Sequence, residues 1–415
     1  MIPQNRVKFR IRRMDNLTHT LIGITFGQSV VKKQDKDLRA MVWASVIASN
    51  LPDIDVLFNP MSDARRLGYL LYHRGYTHTL VAMLPLALLS ALLPYFLFRN
   101  HGRASFLKIF AVAVMAGLLH LAADYCNDYG LHPFYPFMNR WYYGDFIFII
   151  EPFYLFALMP LAILRSHLRW VRVFWALFGV VMLVFLWVTS FLPWAACVWL
   201  TIWAGAFFFW QKKSTTALPA IAGMAVTLLL FFSASVITRS QVRDELKVQR
   251  PQEQLLQLST TPAPSNPFCW RTIVATRSDA GEYRLHMGAV SLLSALFDPS
   301  RCFFRLQQER TAPLSQSVLL THKNIFWLGD FSAPLSELKG LTEKHCQLRA
   351  LLRFTRMPFW VKEGSTAVVG DLRYDNEPGL GFSELEFSGD QEVCPKLVPP
   401  WVSPIPFESL SLESY

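Results

Sequence analysis

Charge is scarce in this sequence. Asp, Glu, Lys and Arg make up 17% of the 415 residues, whereas a soluble globular protein averages about 25%. Hydrophobic residues reach 52%, which excludes a disordered, collagen-like or coiled-coil chain. We infer that part of the chain lies in a lipid bilayer. The 13 Trp and 33 Phe agree with this, because aromatic residues favour buried and interfacial positions.

Several signatures of common function classes are also missing. The sequence contains neither a Gly-x-Ser-x-Gly nucleophile elbow nor a glycine-rich loop that would cradle a phosphate. The formal net charge is +10, yet the basic residues form no recognisable nucleic-acid-binding module. We therefore expect membrane lipids, and not a nucleic acid, among the partners. The sequence leaves protein partners open.

Six apolar segments are predicted to span the bilayer, since about 20 apolar residues cross its hydrocarbon core. Two shorter apolar segments precede them and are expected to be re-entrant, interfacial or full helices. The predicted fold is therefore an all-α polytopic membrane bundle over residues 14–238. The six spans are 80–98, 109–125, 146–164, 173–192, 194–210 and 217–238, and the shorter segments are 17–31 and 41–58.

The composition changes after Arg239. Residues 239–266 are rich in charge, Gln, Ser, Thr and Pro, which predicts a linker. Residues 267–415 alternate in short strand-like runs and predict a small β-rich (α+β) soluble domain. In it, Ser-Asp-Ala-Gly separates two runs as a hairpin would, and four of the six cysteines are available for disulfides in an oxidising compartment. The predicted strands are Cys269–Arg277, Glu282–Val290, Asn324–Phe331 and Thr366–Tyr374.

Ionisable residues inside or beside membrane spans are costly and usually functional. Here they recur at the ends of the apolar segments. If the segments run antiparallel, all of these ends meet on one side of the bundle. His and carboxylate groups together are ligands for Zn, Mn or Fe, so the sequence predicts a site for one or two divalent metals, zinc first. The candidate ligands are Asp15, His19, Asp53, His73, His78, His120, Asp124 and Glu151.

Two further residues are expected to act on the substrate. Asp55 is predicted to accept a proton from a metal-activated water. Arg74 is predicted to hold an anionic substrate, as a guanidinium holds phosphate. His132, near the same loop, is left open as a further ligand.

Four motifs, in this order, resemble the YdjM-like family of bacterial membrane-bound metal-dependent hydrolases. They are Met14-Asp-Asn-Leu-Thr-His, Leu51-Pro-Asp-Ile-Asp, His73-Arg-Gly-Tyr-Thr-His and His120-Leu-Ala-Ala-Asp. Ile150-Glu-Pro, and in the tail Asn266-Pro-Phe-Cys-Trp and Gly370-Asp-Leu-Arg-Tyr, look similar to the family as well. The motif order is also similar to that of zinc-dependent phospholipase C and P1 nuclease. The resemblance implies hydrolysis of a phosphoester or a lipid-derived substrate.

Two other functions fit the same residues. In one, the His and Asp cluster is a structural metal site and the tail binds a partner. In the other, the protein transports a metal or another ion, since intramembrane carboxylates also mark ion paths. Clustering at one end of the spans, and not at mid-membrane, argues against transport.

Lys and Arg in short loops predict the orientation, because they accumulate on the cytoplasmic side. The loops opposite the predicted site are basic, so the site and the tail are expected to face the periplasm of a bacterial inner-membrane protein. Five basic residues within 1–13 contradict this orientation. Because the family resemblance begins at Met14, residues 1–13 are interpreted as a mis-assigned extension. The loop residues are Lys32, Lys33, Lys36, Arg39, Arg99, Arg103, Lys108, Arg165, Arg169, Arg172, Lys212 and Lys213.

Overall fold

A computed structural model describes most of the chain. The described residues are 15–30, 36–61, 65–98, 103–189, 191–303, 313–375, 380–388 and 393–405. The basic segment 1–13 lies outside them.

A helical part precedes the sheets. Within the described residues it contains nine α-helices and one 3₁₀ segment, Leu51–Met61. The helices are α1 (Asp15–Ser29), α2 (Leu38–Ala48), α3 (Arg65–Tyr72), α4 (Leu80–Leu97), α5 (Arg103–Tyr125), α6 (Pro152–Arg165), α7 (Arg169–Val188), α8 (Trp194–Lys213) and α9 (Leu218–Gln249).

Six of the described helical segments are long and apolar enough to cross a membrane. Five of them match predicted spans. The sixth joins α2 to the start of the 3₁₀ segment, where the sequence predicted only a short apolar segment, 41–58. The chain is therefore a multi-pass membrane protein. The six are Leu38–Leu57, Leu80–Leu97, Ser105–Tyr125, Arg169–Val188, Trp194–Lys213 and Leu218–Gln249.

The predicted span 146–164 is wrong. Helix α6 begins only at Pro152 and has 14 residues, too few to cross about 30 Å of hydrocarbon at 1.5 Å per residue. Every residue from Pro152 to Ala162 is buried. The segment is apolar because it packs inside the helix bundle, and not because it faces lipid.

Small residues let α1 approach α2 closely. A Cβ added to Gly23 would lie 2.9 Å from the Cα of Val46, and one added to Gly27 would lie 2.9 Å from the Cα of Val42. Such contacts between small residues are a common way to pack helices in membranes. The Ser45 hydroxyl donates to the Gly23 carbonyl at 2.8 Å. This packing fixes α1, and with it His19 one turn earlier.

The C-terminal part contains two antiparallel sheets. One has the strand order β1-β2-β3-β4 and the other β5-β6-β7, with helices α10 (Leu335–Lys344) and α11 (Cys346–Leu351) between β4 and β5. The predicted hairpin is confirmed as β2 and β3, with Cys269 opposite Ser291 and Arg277 opposite Tyr283. The strands are β1 (Gln254–Ala263), β2 (Asn266–Arg277), β3 (Glu282–Ser291), β4 (Ile325–Pro334), β5 (Pro358–Glu363), β6 (Thr366–Asp371) and β7 (Leu385–Ser388).

The linker predicted at 239–266 is replaced by regular structure. Helix α9 continues to Gln249, and strand β1 follows after a short turn. Gln254 to Ala263 pair with β2, so the polar Gln, Ser and Thr residues are strand residues here. Composition suggested a loop because it carries no information about the partner strand.

The tail contains two disulfides, Cys269–Cys302 and Cys346–Cys394. Each joins cysteines that lie far apart in the sequence, at separations of 33 and 48 positions. Cys126 and Cys197, in the helical part, are free and buried.

The tail packs directly on one end of the helical part. The Trp401 indole N–H donates to the Leu71 carbonyl at 2.7 Å, and the Trp141 indole N–H donates to the Arg353 carbonyl at 2.6 Å. Leu67, Leu70 and Leu71 of α3 share one hydrophobic core with tail residues. The sheets and the ends of the helices that carry the predicted ligands are therefore on the same side of the molecule.

Candidate metal centre

Four side chains from three segments converge at this end of the bundle. Asp53 comes from the 3₁₀ segment, His78 from the loop before α4, and His120 and Asp124 from α5. Their ligand atoms all lie within 4.8 Å of one another. His120 and Asp124 are four residues apart on one helix, so they share a face. Each position lies within five residues of the end of a candidate span. This is the arrangement expected if the apolar segments run antiparallel.

The Nε2 atoms of the two histidines point at the same small volume. His78 Nε2 and His120 Nε2 are 3.1 Å apart. Asp124 Oδ2 lies 3.1 Å from the first and 3.3 Å from the second, and Asp53 Oδ1 lies 3.4 Å from His78 Nε2. Two nitrogens and two carboxylate oxygens are thus arranged around one centre.

The opposite ring nitrogens fix the tautomers. His120 Nδ1 lies 2.8 Å from the Ser49 carbonyl oxygen, which can only accept, so Nδ1 carries the proton and Nε2 keeps its lone pair. His78 Nδ1 lies 3.1 Å from Asp55 Oδ2 and donates to it in the same way. Histidines that bind metals are commonly held by a carbonyl or carboxylate on the far nitrogen.

The donor set therefore fits a divalent metal. Imidazole and carboxylate ligands suit Zn, Mn and Fe. Without a cation, the carboxylates Asp53 and Asp124 would be buried beside each other with only histidines and Arg74 to offset their charge, which is costly. The predicted site for a divalent metal is confirmed as a His and Asp cluster that could hold one.

Asp55 lies behind the histidines. One oxygen accepts from His73 Nδ1 at 2.9 Å, and the other accepts from the Arg74 backbone N–H at 2.8 Å and the Thr77 hydroxyl at 3.1 Å. Asp53, Asp55 and His73 form a second group that could hold a metal. The contacts of Asp55 describe a carboxylate that orients His73 and His78, and they do not single it out as the base.

Helix α1 brings His19 to the cluster. Its Nε2 lies 3.2 Å from Asp124 Oδ1, and its ring lies 4.0 Å from that of His120. Asn16, one turn earlier, donates to Asp53 Oδ2 at 2.8 Å. The sequence analysis missed Asn16, although its place in the first motif was a usable signal. Asp15 is the first residue of α1, and its side chain lies outside the described residues.

Arg74 is buried and points toward the metal cluster. Its Nη2 lies 2.9 Å from Asp124 Oδ1, and its Nη1 donates to Asn127 Oδ1 at 2.7 Å. Its backbone φ is 60°, a conformation that is strained for a residue with a side chain. This strained turn puts both the guanidinium and the Arg74 N–H against site carboxylates. The side chain positions Asp124 here.

Glu151 is not brought to the cluster. It caps the N-terminus of α6, where its carboxyl group accepts from the Phe153 N–H at 3.1 Å and from the Ser265 N–H at 3.1 Å. Burial raises the pKa of Glu151 to about 8. Neither potential metal group in the described part of the chain includes this residue.

His132, left open as a ligand, has a structural environment. Its ring stacks on Trp401 at a centroid distance of 3.7 Å and lies 4.0 Å from the ring of Trp141. Burial lowers the pKa of His132 to about 3, so the ring is neutral. The histidine contributes to the contact between the loop and the tail.

Comparison with known proteins agrees with the sequence motifs. Residues 14–195 match the family described as YdjM inner membrane protein. The resemblance to the YdjM family is confirmed for this part of the chain, which contains every side chain of the cluster. The chain is also 29% identical over 168 residues to the uncharacterized protein YfhP of Bacillus subtilis. That alignment covers 39% of this chain and 47% of the relative, so the chain spans about half the length of that relative. No solved structure matches.

The two tail motifs that looked similar to the YdjM family lie beyond this match. Their polar residues make structural contacts. Asp371 pairs with Arg373 at 2.7 Å and accepts from the Arg356 backbone N–H at 2.7 Å. Asn266 accepts from the Phe268 N–H at 3.1 Å. These residues hold the tail together and do not reach the metal cluster.

Proposed function

We propose that this protein is a membrane-bound metal-dependent hydrolase of a phosphoester or lipid-derived substrate. The observation that carries the proposal is the convergence of His78 Nε2, His120 Nε2 and Asp124 Oδ2 within 3.1–3.3 Å of one another. When bound at this cluster, a divalent cation would activate a water near neutral pH and polarise the ester to be cleaved. Hydrolysis then consumes one water and gives a phosphate hydroxyl and an alcohol.

The residues of the chain divide into two roles in this proposal. His78, His120, Asp53 and Asp124 would hold the cation, with His19 beside Asp124. Asp55, Arg74 and the Ser49 carbonyl orient those ligands by the contacts described above. Zinc is the first candidate because of its preference for His and carboxylate sites, with manganese and iron as alternatives. Asp53 is the most exposed of the four proposed ligands, with 13% of its side chain accessible.

We further propose that the site and the tail face the periplasm. Two disulfides in the tail fit an oxidising compartment, while the two cysteines in the helical part are free. Basic residues lie at the other end of the helices, for example Arg165 and Arg169 between α6 and α7 and Lys212 and Lys213 at the end of α8. Both patterns give the same orientation.

The function is tested by hydrolysis assays on the purified full-length protein in lipid. Chromogenic phosphomonoesters and phosphodiesters, and phospholipids, are offered with Zn, Mn or Fe. We expect turnover that His120→Ala reduces by more than about 100-fold, beyond the usual cost of losing a residue that merely supports a ligand. His322→Ala, an exposed histidine of the tail, is the matched control and should retain full activity.

The alternatives give different results. Stoichiometric metal without hydrolysis of any substrate would favour a structural metal site with a partner-binding tail. Hydrolysis that is unchanged in His120→Ala would overturn the proposed site.

A further inference from the structure

An apolar groove lies beside the metal cluster. It has a volume of about 440 Å³ and is lined by Tyr72, Tyr76, Thr77, Ala82, Leu86 and Leu397. Pockets of 300–1,000 Å³ with mostly apolar walls are typical of small-molecule sites. Most of the lining comes from the loop and helix that follow α3, and Leu397 comes from the tail. The Tyr72 hydroxyl donates to the Leu397 carbonyl at 3.1 Å, which attaches the tail to the groove.

One end of the groove lies next to the residues that support the metal cluster. Thr77 lines it, and the Thr77 hydroxyl lies 3.1 Å from Asp55 Oδ2 and 3.0 Å from His78 Nδ1. His78 in turn presents Nε2 to the cluster. A single side chain therefore separates the groove from a proposed metal ligand.

The other end lies along a membrane span. Ala82 and Leu86 are four residues apart on α4, so they lie on one face. From Leu80, where the span begins, to Leu86 the helix rises about 9 Å into the hydrocarbon. Other residues of α4 are exposed and apolar. Leu84, on the opposite face, has 56% of its surface accessible, and Leu89, one turn beyond Leu86 on the groove's own face, has 60%. The groove is thus continuous with a surface that faces lipid.

We propose that the groove binds a hydrocarbon chain of a membrane lipid and thereby presents the lipid's polar group to the metal cluster. The groove has its polar end at the membrane surface and its apolar end in the hydrocarbon, which is how a lipid in the same leaflet is oriented. The two tyrosines at its mouth fit the interface, where aromatic residues with a polar tip are enriched. This inference rests on the proposed function and makes the substrate an amphiphile with at least one long chain.

The test uses the full-length protein in lipid nanodiscs that contain a phospholipid with a photoactivatable diazirine on its acyl chain. In the wild type, a diazirine near the headgroup should label the peptide around Tyr76 and Thr77, and one near the chain end should label around Leu86. Ala82→Trp fills the groove and should reduce this labelling at least about fivefold. Leu84→Trp, on the opposite, exposed side of α4, is the matched control and should label as the wild type does.

Each outcome decides the proposal. Equal labelling of Ala82→Trp and the wild type would overturn it, as would wild-type labels spread evenly along α4. The wild-type depth pattern needs no variant, so a poorly folded Ala82→Trp protein does not remove the test. His120→Ala separates the two proposals, since it should lose metal and turnover but keep the labelling. Labelling without turnover in the wild type, as well as in every variant, would retain the lipid groove and reject the hydrolase.

Discussion

Asp55 holds two histidines by their Nδ1 atoms and is itself fixed by the Arg74 N–H and the Thr77 hydroxyl. A buried carboxylate in this position raises the basicity of the histidines and fixes their rings. Its effect on the metal should therefore be indirect. The same reasoning applies to Arg74, whose guanidinium holds Asp124.

We expect Asp55→Asn to weaken metal binding by about 10–100-fold, the usual cost of losing such a supporting partner. Occupancy should recover when the metal concentration is raised, and isothermal titration with Zn measures both quantities. Asp124→Asn is the comparison and should not recover. Affinity equal to that of the wild type would contradict the orienting role, and a failure to recover would make Asp55 a direct ligand.

Glu151 caps α6 and lies outside the metal cluster, so its loss should affect stability and not metal binding. Glu151→Gln should retain the metal content of the wild type, since the amide oxygen can still accept from Phe153 and Ser265. Glu151→Ala should also retain metal but lower the free energy of unfolding by about 0.5–2 kcal/mol through the lost cap. Metal analysis and thermal melts measure the two effects. Loss of metal in Glu151→Gln would restore its predicted role as a ligand.

Sequence spacing was sufficient to predict that five side chains lie close together, because each is near the end of an apolar segment and antiparallel helices bring such ends together. The five are His19, Asp53, His78, His120 and Asp124. Spacing was not sufficient for Glu151, since a carboxylate just before a helix can cap it or bind a metal, and spacing does not distinguish the two. The contact of Arg74 with Asp124 could not be predicted for a different reason. The positive φ of Arg74, which turns the side chain toward Asp124, has no signature in the sequence.

Among the elements, the loop between α5 and α6 connects the two parts of the molecule. Asp145 of this loop is buried and accepts from Arg356 Nη1 with both oxygens, each at 2.8 Å. Asp128 accepts from the Thr261 hydroxyl at 2.8 Å. Both carboxylates bind the tail. This loop also carries Tyr129, whose ring lies under the Arg74 guanidinium at 5.2 Å.

We expect Arg356→Ala to be strongly destabilising, by about 3–5 kcal/mol, because it leaves Asp145 buried without its main partner. The melting temperature of the detergent-solubilised protein should fall by several degrees. Lys362→Ala removes an exposed pair with Glu337 and should cost less than about 1 kcal/mol. Equal melting temperatures for the two variants would show that the Asp145 contact does not hold the tail in place.

Helices were predicted correctly where hydropathy alone is enough to identify a membrane span. Less than half of each of the five matching spans is buried inside the protein, and apolar length identifies such helices. Helix α6 shows the limit, because burial inside a bundle and burial in lipid give the same composition. Strand β1 shows a second limit of prediction from composition. Its residues are polar, and it is a strand because it pairs with β2.

For the whole molecule, the proposed orientation places the tail outside the cytoplasm and the basic loops inside. Cysteines introduced at Asp279 in the β2–β3 turn and at Lys213 at the end of α8 test it, since both positions are exposed. A thiol reagent that cannot cross the membrane should label Asp279→Cys in intact spheroplasts. It should label Lys213→Cys only after the membrane is disrupted. The opposite pattern would reverse the orientation.

The tail packs on the end of the helix bundle that carries the metal cluster. Trp401 lies against Gly75, where an added Cβ would approach its ring to 2.9 Å, so the tail presses on the loop that carries His73 and His78. The family match ends at residue 195, before the first strand of the tail. The metal cluster thus lies in the matched part, whereas one wall of the lipid groove comes from the tail.

Metal content per protein decides whether His78, His120, Asp53 and Asp124 hold a divalent metal. Full-length protein is purified without chelator, offered Zn, Mn and Fe separately, and analysed by elemental mass spectrometry. We predict one or two equivalents in the wild type and in His322→Ala, and loss of at least one equivalent in His120→Ala and Asp124→Ala. A wild type that retains none of the three metals, or a His120→Ala protein with the wild-type content, would contradict the account.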